Sequence, residues 1–156
     1  MYFQEFRQSV EKELLKEDYY SINNPSSKVE SFFWIAVKGT AIGTTSCHYE
    51  FALDENDSNK VNLEIHFEFP PNNSESEKNA SALLGKYLLN KRIIKRFDFV
   101  SQYQVGIIYN SFNLNSDSIV QDAIKALKKM NKKFQLDFFK FIKKSSCKKL
   151  LNRKKG

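Results

Sequence analysis

From Val61 to Phe69 apolar and polar residues alternate without a break. Val61, Leu63, Ile65, Phe67 and Phe69 are apolar, and Asn62, Glu64, His66 and Glu68 between them are polar. A period of two predicts a strand with one face on a core. Two further runs precede it. "VESFFWIAVKG" (29–39) is aromatic and β-branched, which suits a buried strand, and "TTSCHYEFAL" (44–53) turns Cys47, Tyr49, Phe51 and Leu53 to one side. The polar loop "DENDSNK" (54–60) separates the second run from the third. Connections this short exclude parallel crossovers, so an antiparallel meander is expected.

Helical spacing frames these strands. Phe3, Phe6, Val10 and Leu14 recur at intervals of three and four and predict a helix over 2–17. "SINNPSSK" (21–28) is turn chemistry, and Pro25 stops a continuing helix. After "PPNNSESE" (70–77), Ser74 and Glu77 have the spacing of a capping box, and Leu83, Leu84, Tyr87, Leu88 and Ile94 carry a helix to about 95. Residues 96–112 return to strand character, as one bent strand or two short ones around Ser101–Gln102. Ser116 is the expected N-cap of a last helix over about 117–145, striped by Ile119, Ala123, Ile124, Leu127, Met130, Phe134, Phe138, Phe141 and Ile142. The expectation is one α+β domain over 1–145, in α-β-β-β-α-β-α order, followed by a basic, frayed tail at 146–156. An antiparallel sheet of four to five strands carries helices on its apolar face, where residues 47–53 and 61–69 meet the first and last helices.

Charge adds a second layer. The net charge is +7, yet Lys125–Gly156 holds twelve Lys, one Arg and one Asp, a local +12, which leaves the rest at −5. Such polarity points to a polyanionic or acidic partner. The candidate contacts are Lys125, Lys128, Lys129, Lys132, Lys133, Lys140, Lys143 and Lys144, around the Phe-rich stripe of the long basic C-terminal helix. Lys outnumbers Arg 21 to 4, so point charges rather than planar forks would make these contacts. Two cysteines, Cys47 and Cys147, are too few for a disulfide framework or a zinc motif, and Cys47 reads as a buried thiol in a reducing cytosol. No signal peptide is visible, and no stretch reaches the ~18 apolar residues of a membrane span. A soluble cytoplasmic protein is expected.

The polar side of the second and third runs holds the remaining chemistry. If Leu53 and Val61 are partners across the loop, His48 stands opposite His66 and Glu50 opposite Glu64. These are the only two histidines in the chain. Opposed Cβ atoms lie about 4.5–5.5 Å apart, within reach of a shared Zn²⁺ or other divalent ion. An imidazole flanked by carboxylates could instead act as a general base. The simpler expectation is that this is the solvent-facing side of an ordinary sheet, with no resident cofactor. Cys47 and His48 are strand neighbours on opposite faces, so they form no nucleophile–base pair. There is no phosphate-binding glycine loop, and "DENDSNK" lacks the glycine and closing glutamate of an EF-hand.

The α-β-β-β-α-β order is also the core order of restriction-endonuclease-like nucleases, in which an acidic residue on the second strand and E-x-K on the third hold Mg²⁺. Here the third strand reads Glu64-Ile65-His66, with Glu50 or Asp54 as the acidic partner, and the lysine is absent. Nearly the whole chain resembles a bacterial domain of unknown function that trails endonuclease-like domains in defence-associated proteins. The shared features are "YFQEFRQSV", the turn at Pro25, "FFWIAVKG", the V-x-L-E-I strand at 61–65, a helix with Lys91 and Ile94, a strand and a long final helix. That resemblance implies a DNA-associated accessory role and carries no catalytic residues. A non-enzymatic accessory binding protein for nucleic acid or an acidic partner is therefore the leading expectation, in a defence or mobile-element setting. A protein-binding chaperone or immunity-type protein, possible as a homodimer, and a degenerate metal-dependent nuclease are the alternatives.

Overall fold

A computed structural model describes residues 1–17, 20–23, 31–40, 42, 47–68, 96–101 and 104–143. Helix α1 (Phe3–Leu14) is followed by strands β1 (Tyr20–Asn23), β2 (Phe32–Val37), β3 (Cys47–Leu53), β4 (Lys60–Glu68), β5 (Arg96–Ser101) and β6 (Gln104–Asn113), then helix α2 (Ile119–Lys143). The strands form one sheet in the order β1-β2-β3-β4-β6-β5, and every neighbouring pair is antiparallel. The fold class is α+β, with the expected meander as its first half. The helix expected from 74 to about 95 lies outside the described residues, as does the tail.

Two local readings differ from expectation, and one open alternative is decided. Tyr20–Asn23, at the start of the segment read as turn, is an edge strand paired with Trp34–Val37. Edge strands are commonly this short and polar, which hides them from a periodicity test. Of the two alternatives expected for 96–112, the pair of strands holds, and β5 and β6 are paired with one another. The last helix starts beyond Ser116: the Asp122 N–H donates to the Ser118 carbonyl at 2.9 Å, and the Ser118 hydroxyl donates to the Asp122 carboxylate at 2.7 Å. Ser118 thus opens the helix, two residues later than its spacing suggested.

Both helices pack on the apolar face of the sheet. Phe3, Phe6, Val10 and Leu14 of α1 and Ile119, Ala123, Leu127, Met130 and Phe134 of α2 join one core with Phe33, Ile35, Tyr49, Phe51, Val61, Leu63 and Ile65. These are the odd-numbered strand positions, as alternation requires. Phe6, Phe33 and Phe51 meet at ring-centroid distances of 5.4–6.1 Å. Burying such side chains contributes roughly 1.5–3 kcal/mol each. A polar link crosses this core: the Tyr49 hydroxyl donates to Asn131 Oδ1 at 2.7 Å, tying α2 to β3. At the surface, Lys128 pairs with Glu17 just beyond α1.

The β3–β4 loop is held by its own side chains. Asp54 accepts from the Asn56 N–H at 3.0 Å and from the Asn62 amide at 2.9 Å, while Asp57 accepts from the Asn59 N–H at 3.0 Å. A bulge interrupts β4–β6: Leu63 pairs with Asn110 and Glu64 with Ile108, so Tyr109 is the extra residue.

Candidate metal centre and basic face

The register across β3 and β4 is the one the loop symmetry predicts. His48 lies opposite His66, Glu50 opposite Glu64, and Leu53 opposite Val61. Strand pairing alone therefore puts both histidines and two carboxyl groups on one face. The expectation that this face meets solvent is corrected: relative exposure is 0% for His48, 4% for Glu50, 9% for Glu64 and 5% for His66. Alternation reports that the two faces of a strand differ, and does not report what lies over the polar one.

Glu50 is the hub. Its Oε2 is 3.4 Å from His48 Nε2 and in direct contact with His66 Nδ1, so one carboxylate oxygen serves both imidazoles. The rings are 5.3 Å apart between centroids. Burial pushes the Glu50 carboxyl up, but hydrogen bonds from His48 and His66, together with their positive charge, outweigh it and hold the group below its ordinary value of 4.5. Trp34 stacks on His48 at 3.9 Å with an interplanar angle of 23°. Its buried indole N–H has no hydrogen-bond partner among the described residues. On the other side, the register partner of His66 on β6 is Gly106, and the row ends on β5 at Asp98.

His48, Glu50 and His66 each offer one ligand atom, and these atoms all lie within 4.8 Å of one another. Glu64, the fourth candidate, is adjacent by register and lies outside that triad. Asp54, the other acidic candidate for a nuclease centre, binds Asn56 and Asn62 in the loop. Trp34 is the site residue that sequence reasoning missed. Its signal was the unbroken apolar run Phe32–Val37: a strand apolar at every position has both faces covered, and Phe33 through Val37 are all buried.

The lysines of α2 form a separate surface. Lys125, Lys128, Lys129, Lys132 and Lys133 are all exposed. At 3.6 residues per turn they span an arc of about 140°, opposite the stripe of Ala123, Leu127, Met130 and Phe134. Lys140 and Lys143 lie further along the same helix, and Lys144 is outside the described residues. Among the described residues the exposed large hydrophobics are Met1, Tyr2 and Leu15. No helix among them is long and apolar enough to cross a membrane. No family model, no curated protein and no solved structure matches the chain.

Proposed function

We propose that the protein is a non-enzymatic binding protein that engages nucleic acid through the outer face of α2. The observation that carries this reading is the arc of five exposed lysines set opposite the buried stripe of the same helix. A phosphate backbone laid along that arc would meet charge without disturbing the core. From Lys125 to Lys133 the arc rises about 12 Å, enough to face several successive phosphates. Lysine supplies point charge rather than bidentate base recognition, so binding is expected to be insensitive to sequence. An accessory role in a defence or mobile-element setting is the part of this proposal that rests on the resemblance alone.

The test is a fluorescence-anisotropy titration of labelled duplex DNA at several salt concentrations. Binding should weaken steeply with salt, since each neutralised phosphate releases counterions with a slope near −0.9 per contact. Replacing Lys125, Lys129, Lys132 and Lys133 with Gln should flatten that slope by roughly 3–4 while far-UV circular dichroism stays unchanged. Absence of binding at low salt, or a slope unaltered in the quadruple variant, would refute the proposal. Capture of a polyanionic peptide with no affinity for DNA would reassign the surface to an acidic protein.

A further inference from the structure

We propose that His48, Glu50 and His66 form a binding site for one zinc-type transition-metal ion, held between β3 and β4 on the covered face of the sheet. The chemistry of the donors comes first. Two imidazole nitrogens and a carboxylate oxygen are a set that Zn²⁺ accepts, whereas Mg²⁺ prefers oxygen alone. The site is therefore distinct in metal preference from the Mg²⁺ centre of an endonuclease.

Geometry agrees. Ligands of a tetrahedral zinc ion at roughly 2.0–2.1 Å are separated from one another by about 3.3 Å. His48 Nε2 and Glu50 Oε2 are 3.4 Å apart and all three ligand atoms fall within 4.8 Å of one another, while His66 Nδ1 and Glu50 Oε2, already in direct contact, would part to admit the ion. Both imidazole nitrogens lie beside the same carboxylate oxygen. The protons they would share with it are replaced by the ion, whose coordination satisfies all three groups at once.

Enclosure gives a further reason. Taking ionisable groups out of water costs several kcal/mol per ion unless they are well paired, and similar-sized apolar residues commonly serve stability better. This strand pair nevertheless encloses both histidines of the chain with Glu50 and Glu64. A divalent cation offsets the carboxylate charge and occupies the imidazole lone pairs together. The surroundings are built to hold the ligands still. Trp34 lies flat on the His48 ring, and the bulge at Tyr109 falls beside Glu64. Bulges recur where a strand must re-aim side chains near a site. Across from His66, Gly106 brings no side chain to that flank.

Trp34 is the only tryptophan in the chain, which makes the site report on itself. The full chain, stripped with a chelator and dialysed, is titrated with Co²⁺ and then Zn²⁺. One Co²⁺ per chain should quench the Trp34 emission and give the visible absorption of a tetrahedral nitrogen–oxygen site, and Zn²⁺ should displace it. Saturating Zn²⁺ should raise the thermal midpoint by on the order of 5–10 °C, and Mg²⁺ should leave it unmoved. Glu50→Gln preserves shape and should weaken Co²⁺ binding at least about tenfold. His66→Ala should abolish the tetrahedral spectrum, with circular dichroism as the folding control. A folded wild-type chain that takes up no Co²⁺ would overturn the proposal and leave a proton-balanced network. Uptake that survives both substitutions would overturn it as well, because the ions would then sit elsewhere.

Discussion

Tyr109 owes its position to a single uncompensated residue. It is the member of β6 without a partner on β4, and it is buried in the core. Burial disfavours the phenolate and pushes the hydroxyl above its ordinary value of 10.0. The sign of the linkage follows. The folded chain keeps the proton in a window where the unfolded chain has lost it, so Tyr109 contributes stability that is fully present below about pH 10 and lost as pH rises through the folded value. Thermal midpoints measured from pH 8 to 11 should therefore fall more steeply in the wild type than in Tyr109→Phe. The difference between the two curves isolates this residue from the rest of the chain. Equal slopes would show that the hydroxyl is solvated in the folded state.

Among the elements, α2 has the most distinct pair of faces. Among the side chains described, its inner face is apolar except for Asn131, which falls among Leu127, Met130 and Phe134 and accepts the Tyr49 hydroxyl. Removing that donor with Tyr49→Phe should cost about 1–2 kcal/mol in urea unfolding, with an unchanged m-value. A loss below about 0.3 kcal/mol would mean that the link contributes little beyond packing. The sequence made much of this arrangement legible. The alternation of Val61, Leu63, Ile65 and Phe67 established β4, and loop symmetry alone placed His48 opposite His66. Three features stayed hidden for physical reasons. β1 is too short and polar for a periodic signal, and the start of α2 depends on which of two nearby serines receives the first helical bond. The burial of the polar face depends on long-range packing that alternation does not encode, although the unbroken apolar run of β2 already hinted at a second covered side.

At the scale of the whole molecule, charge and connectivity both divide the chain unevenly. The basic segment from Lys125 onward opposes an acidic remainder, so lowering ionic strength should strengthen polyanion binding without improving the fold. Connectivity has its own consequence. Leu53 and Val61 are register partners eight positions apart, whereas Glu68 and Gln104, which close β6 onto the same strand, are thirty-six apart. Closing the longer loop costs about 1.3 kcal/mol more in chain entropy, so the β3–β4 hairpin can assemble before the far half of the sheet docks. His48, Glu50 and His66 all belong to that hairpin. A site buried in the finished protein is thus open to ions during folding, and an ion captured then would act on the transition state. Zn²⁺ should accelerate refolding in stopped-flow traces of Trp34 fluorescence more than it slows unfolding, and the reverse pattern would place metal capture after the fold is complete. The timing of assembly, rather than a channel through the folded chain, would then decide whether the centre is loaded.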